Sequence, residues 1–263
     1  MTDYILREDA GAVATLTLNH PAKLNCLSEG MMQALQGALD SIAGDPSVRI
    51  VVLRGAGKAF CAGHDLAEMT QARQGADGGL AYFKALFVQC SGLMQSVRNL
   101  PQPVIAQVHG VAAAAGCQLV ATCDMAVAEE TCRFGVNGVN IGLFCSTPMV
   151  ALTRNIHRKA AFEMLTTGEL IPADKAQALG LVNRIAPAGR GGEVTAELAA
   201  HCAGKLGEAL RIGKQAFYRQ AEMGLEEAYA YAGEVMAENM MLKQTQKGIE
   251  AFLEKRQPEW DQD

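Results

Sequence analysis

The spacing of apolar and polar residues predicts that strands and helices alternate over the first two-thirds of the chain. YILRE and VATLTLN have strand composition and are separated by Asp9-Ala10-Gly11, which predicts a strand pair. After Ser28, apolar residues recur at helical spacing up to a stop at Gly44; they are Met31, Met32, Leu35, Leu39 and Ile42. RIVVLRG and PVIAQVHG are short apolar runs typical of buried strands.

Farther along the chain the pattern becomes more helical. It predicts a helix from about Leu80 to Asn99, and MAVAEETCRFG is typical of a strand with a turn at Glu129-Glu130. Helical spacing dominates after about residue 146, and successive helices are predicted from about Glu193. The last helix is predicted from Thr245 to a stop at Pro258, with one face formed by Ile249, Phe252 and Leu253. We therefore predict an α/β core with a helical extension.

Length, composition and charge narrow the class of protein. A chain of 263 residues, 49% hydrophobic and 19% charged, suits one globular domain or a domain with an appendage. A net charge of −5 argues against general binding to nucleic acid or anionic membranes, although a local basic pocket for a phosphorylated ligand stays open. We find no membrane span and no signal peptide, and expect a cytoplasmic protein, or one of the mitochondrial matrix if a removed transit peptide preceded this chain.

The eight cysteines and five histidines do not suggest a metal site. No two cysteines are spaced C-x-x-C, and several lie in apolar surroundings. We expect buried thiols of a reducing compartment rather than disulfides or zinc ligands, and no metal.

Two glycine-containing loops, FCAGHDL and AAAAGCQL, each follow a strand and precede a predicted helix. Such turns present free backbone N–H groups, and two of them side by side suit the binding of one oxyanion. Either loop alone is equally consistent with ordinary turn chemistry. The small residues of GVAAAAG likewise have two explanations, namely close packing of a helix on a strand or a backbone open to a ligand. Neither loop has the spacing of a nucleotide-phosphate motif.

Five segments together resemble the crotonase, or enoyl-CoA hydratase/isomerase, family over nearly the whole chain. They are NHPAKLNCLS, GAGKAFCAGHDLAEM, VHGVAAAAGCQLVATCDMAVA, FGVNGVNIGL and GIEAFLEKRQPEW. GVNIGLFCSTP further resembles one subgroup of that family. The resemblance implies a spiral of ββα units over residues 1–192 and a helical trimerisation region over 193–263. It also implies a homotrimer or dimer of trimers that binds acyl-CoA thioesters, with coenzyme A as part of the substrate and no separate cofactor.

The resemblance also implies roles for individual residues. The backbone N–H groups of His64 and Ala115 are expected to bind the thioester oxygen, with the His64 ring itself as a less favoured general base. The residues expected to contact coenzyme A are Lys23, Leu24, Ala62, Asp65, Leu66, Phe252 and Lys255.

The chain departs from the family where hydratases carry two acid–base glutamates. Gln118 and Gly138 stand at those positions, and neither exchanges a proton near neutral pH. General acid–base catalysis contributes about 10²–10⁴-fold, so the loss is severe for the usual mechanism. Ser146 stands near the position where related isomerases have an acidic residue, although Cys145 and Ser146 are also consistent with packing and helix capping. Asp65 or Glu68 is a further candidate acid.

These observations leave two classes of function. The first is an enoyl-CoA hydratase-like lyase or isomerase of fatty acid metabolism with atypical catalytic residues, or another enolate-stabilising enzyme such as a decarboxylase of CoA thioesters. The second is an acyl-CoA-binding or regulatory protein without turnover.

Overall fold

The computed structural model describes residues 3–260. The predicted regions 1–192 and 193–263 also include Met1, Thr2 and residues 261–263, which lie outside the described residues. A sheet of six strands has the spatial order β1-β2-β3-β4-β6-β9, and a smaller sheet has the order β5-β7-β8. In chain order the strands are β1 Ile5–Ala10, β2 Val13–Leu18, β3 Ile50–Gly55, β4 Val104–Val108, β5 Val111–Ala113, β6 Met125–Glu129, β7 Arg133–Gly135, β8 Ile171–Pro172 and β9 Arg184–Ala186.

The helices connect and cover these strands. They are α1 Glu29–Ala43, α2 Leu66–Ala72, α3 Leu80–Asn99, α4 Ala115–Thr122, α5 Ser146–Asn155, α6 Arg158–Thr167, α7 Ala173–Ala178, α8 Gly191–Ala203, α9 Gly207–Gln220, α10 Leu225–Met240 and α11 Lys243–Leu253. Short 3-10 helices span Pro21–Lys23 and Asn137–Ile141. Among residues 3–260, no helix combines the length and apolar character that crossing a membrane requires.

Local signals place the first elements as predicted. β1 and β2 form an antiparallel pair around Gly11, whose φ of +58° suits a turn. The Ser28 hydroxyl accepts a hydrogen bond from Met31 N at 3.1 Å and caps α1, whose five predicted apolar residues are all buried. The bounds of α3 agree with those expected from its periodicity.

MAVAEETCRFG forms the predicted strand, β6, and turns after Glu129, where Cys132 N donates to Glu129 O at 2.9 Å. The next strand, β7, belongs to the smaller sheet, since it pairs with β5 whereas β6 pairs with β4. The end of the last helix differs from its prediction. The last helix ends at Leu253 rather than near Pro258. Lys255 has a φ of +58°, and Arg256 N donates to Ala251 O at 3.0 Å, which closes the helix with a left-handed residue.

The core lies on both faces of the large sheet, whose strands from β2 to β9 are parallel. The larger apolar cluster lies between the sheet and α1, α3 and α4. The smaller cluster joins Ile50, Ile105 and Val127 to Leu198 and Ala199 of α8. Burial on both faces explains why these strands are continuous apolar runs. The expected division between residues 192 and 193 lies inside α8.

The C-terminal helices contact the core at a buried charged cluster. Lys214 of α9 donates through Nζ to Asp124 Oδ2 at 2.7 Å and to the carbonyls of Val97 and Gln102 at 3.1 and 3.0 Å. Tyr218 donates to the other Asp124 oxygen at 2.8 Å. By contrast, α10 buries no residue in this chain. We call the large exposed apolar side chains of α9–α11 the C-terminal apolar surface: Phe217, Leu225, Tyr229, Met236, Met240, Ile249, Phe252 and Leu253.

Candidate active site

The two glycine-containing loops, far apart in sequence, are hydrogen-bonded to each other. Cys61 N donates to Val111 O at 3.2 Å, and Ala113 N donates to Cys61 O at 2.9 Å, so the first loop runs beside β5. A methyl group on Gly116 would collide with the Cys61 carbonyl, and the glycine therefore permits this close approach. The small residues therefore allow close packing at this junction, which is the first of the two explanations that the sequence offers.

The second explanation is also supported, because two amide groups at this junction are open. A side chain on Gly63 would lie 3.5 Å from Ala115 N, which places the two turns in contact. Ala114 has a φ of +48° and a ψ of −118°, an unusual conformation for a non-glycine residue, and it leads into α4. Within residues 3–260, neither His64 N nor Ala115 N donates to a protein oxygen.

Gln118 lies one helical turn beyond Ala115 and is 5% exposed. Its Oε1 is buried, and no atom of the described chain hydrogen-bonds to it. Buried amides without a partner are uncommon in folded proteins and call for an explanation. The Oε1 atom of Gln118 is thus available to a ligand or a water.

The His64 ring is held in one tautomer. Its Nδ1 lies 3.2 Å from Leu27 O; because a carbonyl only accepts, Nδ1 carries the hydrogen and donates it. Nε2 therefore has a lone pair, which is buried and has no partner in the described part of the chain. The Phe87 ring packs against the imidazole edge-on at 5.8 Å between centroids. Burial lowers the pKa of His64 below its ordinary value, so the ring is neutral near pH 7.

Gly138 has no space for a side chain. It is buried in the 3-10 helix Asn137–Ile141, and a methyl group there would overlap Leu143 O and lie 2.8 Å from Cys145 Sγ. Leu143 N donates to Gly138 O at 3.0 Å, which holds this segment against the glycine. The chain itself therefore fills the space at Gly138, the position where the resemblance implies a glutamate in hydratases.

Cys145 and Ser146 do not cap α5 through their side chains, contrary to one prediction. Cys145 is the N-cap residue but makes no capping bond, and burial raises the pKa of its thiol. Ser146 is the first helical residue, is exposed, and donates to Phe144 O at 3.4 Å. Cys145 thus serves packing, and a thiol with a raised pKa is a poor nucleophile.

The predicted coenzyme A residues of the N-terminal half lie together. Lys23 Nζ is 2.6 Å from Asp65 Oδ2, and Ala62 N donates to Leu24 O at 3.1 Å. Leu66 follows Asp65 and is exposed. Burial acts to raise the pKa of Asp65, but Lys23 and the N–H of Ala67 outweigh it, and the pKa is lowered.

The two candidate acids of this region are engaged in structural bonds. Asp65 pairs with Lys23 and accepts from Ala67 N at 2.9 Å at the start of α2. Glu68 accepts from Glu29 N at 3.1 Å. These bonds give no support for the suggestion that Asp65 or Glu68 takes the role of the glutamates that the resemblance implies in hydratases.

Asn25 is a site-supporting residue that sequence reasoning missed. It is fully buried, with a φ of +54°. Its Oδ1 accepts from His20 N at 2.9 Å, and its Nδ2 donates to Ala56 O and Ala59 O at 2.8 Å. One amide thus joins the Lys23 loop to residues 56–59, which lead into the first glycine-containing loop. An asparagine within PAKLNC was the available signal, but its partners are distant in sequence.

Phe252 and Lys255 are not joined to this group in the single chain. Both lie at the end of α11, and Phe252 is 81% exposed. Within residues 3–260, no hydrogen bond or ion pair connects either to Lys23 or Asp65. Their predicted contact with coenzyme A stays a prediction.

Comparison with known proteins establishes the family. A sequence profile described as "Enoyl-CoA hydratase/isomerase" matches residues 8–263. The chain belongs to the enoyl-CoA hydratase/isomerase, or crotonase, family. It is 42% identical over 256 residues to mitochondrial enoyl-CoA hydratase domain-containing protein 3 of Xenopus laevis, which covers 97% of this chain and 85% of the relative.

Solved structures of the crotonase family agree with the fold. An enoyl-CoA hydratase of Mycobacterium smegmatis matches with a TM-score of 0.94 and 52% identity over 98% of each chain. Human enoyl-CoA hydratase domain-containing protein 3 matches with a TM-score of 0.93 and 39% identity over 98% of this chain and 100% of the other. The predicted crotonase-type spiral with a helical C-terminal region is confirmed, as is the resemblance to the domain-containing protein 3 subgroup.

The cysteines of this crotonase-family chain are mostly buried, as predicted. All eight are free, and seven are buried. Burial raises the pKa of Cys61 and Cys117, which lie beside the two turns, to about 12. Across residues 3–260, no group of three or more side chains suited to a metal ion occurs.

Proposed function

We propose that this protein binds acyl-CoA thioesters and stabilises their enolates, as an enoyl-CoA hydratase-like lyase or isomerase of fatty acid metabolism. The observation that carries the proposal is the pair of open N–H groups, of His64 and Ala115, where the two turns meet. Negative charge develops on the thioester oxygen when the Cα of an acyl-CoA loses or awaits a proton. Donors already oriented toward that oxygen stabilise this charge by a few kcal/mol each.

The surroundings of the two N–H groups strengthen the proposal. Ala115 is 1% exposed and is the first residue of α4, where the helix dipole favours negative charge. Burial strengthens each electrostatic interaction with an oxyanion. Ala114 has a φ of +48°, which a non-glycine residue seldom adopts, and such strain clusters at functional sites.

A second candidate is supported by Gln118 and Gly138. Gln118 is a neutral amide, and Gly138 lies against Leu143 and Cys145 with no space for a carboxylate. Decarboxylation of a CoA thioester needs enolate stabilisation more than a carboxylate base, and ligand binding alone needs neither. A decarboxylase or a non-catalytic acyl-CoA-binding protein is therefore the alternative to a hydratase.

The remaining parts of the proposal concern coenzyme A and assembly. Lys23, Leu24, Ala62, Asp65 and Leu66 would hold the nucleotide, with the Lys23 ammonium near a phosphate. The C-terminal apolar surface supports a homotrimer or dimer of trimers built by residues 193–263, because such patches mark interaction sites. In that assembly Phe252 and Lys255 would complete the coenzyme A site. We place the protein in the cytoplasm, or in the mitochondrion that the names of the vertebrate relatives state.

An N–H group can be removed by proline, and this permits a direct test. Ala115→Pro deletes one proposed donor at the first position of α4, where proline fits a helix and no protein hydrogen bond is lost. Arg158→Pro removes the N–H at the first position of α6, after the extended residue His157, and serves as the control for proline at a helix start. Circular dichroism checks that both variants fold.

Binding of butyryl-CoA and crotonyl-CoA would be measured by calorimetry, and crotonyl-CoA hydration by absorbance. We expect the wild type and Arg158→Pro to bind, and folded Ala115→Pro to lose most of the affinity or turnover. Binding without hydration would favour the second candidate. If the wild type binds no CoA thioester, or Ala115→Pro behaves like the wild type, the proposal is rejected.

A further inference from the structure

We propose that the His64 imidazole is the proton acceptor of this site, with Nε2 taking a proton from the Cα of the bound acyl group. The inference rests on the proposed function, because it assumes a thioester whose oxygen accepts the N–H groups of His64 and Ala115. It goes further, since it assigns to the His64 side chain the chemistry that Gln118 and Gly138 do not provide.

The first argument is the state of the ring. Donation from Nδ1 to Leu27 O leaves the lone pair on Nε2, the only tautomer that this bond permits. A buried lone pair without a partner is unfavourable by about 1–3 kcal/mol, so a ligand or water that supplies a hydrogen is expected there. The edge-on Phe87 ring limits rotation of the imidazole, and the acceptor is thereby kept in one place.

The second argument is location. Gly63, which precedes His64, touches the Ala114–Ala115 turn, and Gln118 begins one helical turn farther on. Both Nε2 of His64 and Oε1 of Gln118 are buried and without partners in the described chain. Two uncommitted polar side chains therefore start from the junction that presents the two open N–H groups. Such a cluster is typical of a site that a ligand completes.

The third argument is the state of the other titratable groups near the junction. Asp65 and Glu68 are engaged by Lys23, Ala67 and the backbone of Glu29. The thiols of Cys61 and Cys117 remain protonated because burial raises their pKa. Among these groups of the described chain, His64 is the one whose basic atom, Nε2, has no hydrogen-bond partner.

The proposed step is balanced. The Cα–H bond breaks and its proton forms an N–H bond at Nε2. The electron pair of that C–H bond becomes the Cα=C bond of the enolate, and the carbonyl π pair moves to the thioester oxygen. The positive ring keeps its Nδ1–H on Leu27 O, a bond that strengthens with the charge. Return of the proton to Cα, or of a deuteron after exchange with D₂O, regenerates the thioester.

Hydrogen exchange at Cα tests the step without knowledge of the net reaction. Butyryl-CoA would be incubated with the protein in D₂O, and deuterium at Cα would be followed by mass spectrometry. His64→Phe keeps the backbone N–H and an aromatic ring beside Phe87, and His64→Gln keeps a polar group that does not exchange protons at pH 7. His201→Gln, at an exposed histidine of α8, is the matched control. Calorimetry with butyryl-CoA is run on every variant.

We expect exchange in the wild type and His201→Gln, and a rate about 10²–10⁴-fold lower in both His64 variants with butyryl-CoA binding retained. Exchange that persists in His64→Phe and His64→Gln overturns the inference. Binding without exchange in the wild type also overturns it while leaving thioester binding intact. A wild type that binds no butyryl-CoA rejects the proposed function as well.

Discussion

Gly138 permits a sharp prediction about whether the usual hydratase carboxylate can be restored. A methyl group at this position would overlap the Leu143 carbonyl and lie 2.8 Å from Cys145 Sγ. The carbonyl belongs to the backbone, and the bond from Leu143 N to Gly138 O prevents a simple shift of the segment. Gly138→Ala therefore overpacks a filled site.

The magnitude follows from the crowding. Overpacking a core by one methyl group lowers the free energy of unfolding by about 1–3 kcal/mol, and we expect Gly138→Ala in this range. Gly138→Glu is expected to be worse, because it adds a carboxylate that is buried without a partner. The control is Gly37→Ala in α1, where, apart from the backbone of the helix itself, no atom of residues 3–260 lies within 4 Å of the added methyl group. That change should stabilise the helix by about 0.5–1 kcal/mol.

Guanidinium denaturation followed by circular dichroism measures these differences, and crotonyl-CoA hydration is assayed in parallel. We expect Gln118→Glu to fold, since it keeps the size of the side chain and replaces one buried polar group without a partner by another. The double variant with Gly138→Glu should be poorly folded and gain no hydration, because position 138 has no space for a side chain. A Gly138→Ala midpoint equal to the wild type would refute the steric reasoning. A folded, active double variant would do so more strongly.

Three further predictions concern stability and binding. Lys214→Met leaves Asp124 and two carbonyls without their ammonium and should lower the free energy of unfolding by about 3–5 kcal/mol. Tyr218→Phe removes one hydrogen bond to Asp124 and should lower it by about 1–3 kcal/mol in the same denaturation assay. Equal effects of the two variants would contradict the ion-pair explanation. The folded pKa of His64 is lowered from 6.5, so the unfolded chain binds its proton first, and stability should fall as pH drops from 6.5 toward the folded value. In thermal melts at several pH values, His64→Phe should remove the part of the pH dependence of stability that this titration causes. A pH dependence of stability equal to that of the wild type would refute the prediction. Lys23→Met should weaken butyryl-CoA binding about tenfold in calorimetry. Binding of the butyryl thioester of N-acetylcysteamine, which lacks the nucleotide, should be unaffected. An equal loss of affinity for both ligands would exclude a contact between Lys23 and a phosphate.

Local patterns in the sequence were sufficient for many elements. The bounds of α3, the cap and buried face of α1, and the β1–β2 pair follow from periodicity and from the conformations that Ser28 and Gly11 favour. These signals act within a few residues, and their physical causes are therefore visible in the sequence. The ordered motifs also identified the family, which the comparisons confirmed.

Contacts between distant segments decided the rest. The bonds between Cys61 and β5 and the single tautomer of His64 depend on atoms from loops far apart in sequence. The filled space at Gly138 depends on how residues 138–145 fold back on themselves. Periodicity carries no information on such meetings, because they arise only when the chain packs. The residue types of Gln118 and Gly138 were plain in the sequence. Only the packed structure shows that the Gln118 side-chain oxygen has no partner and that position 138 has no space for a side chain.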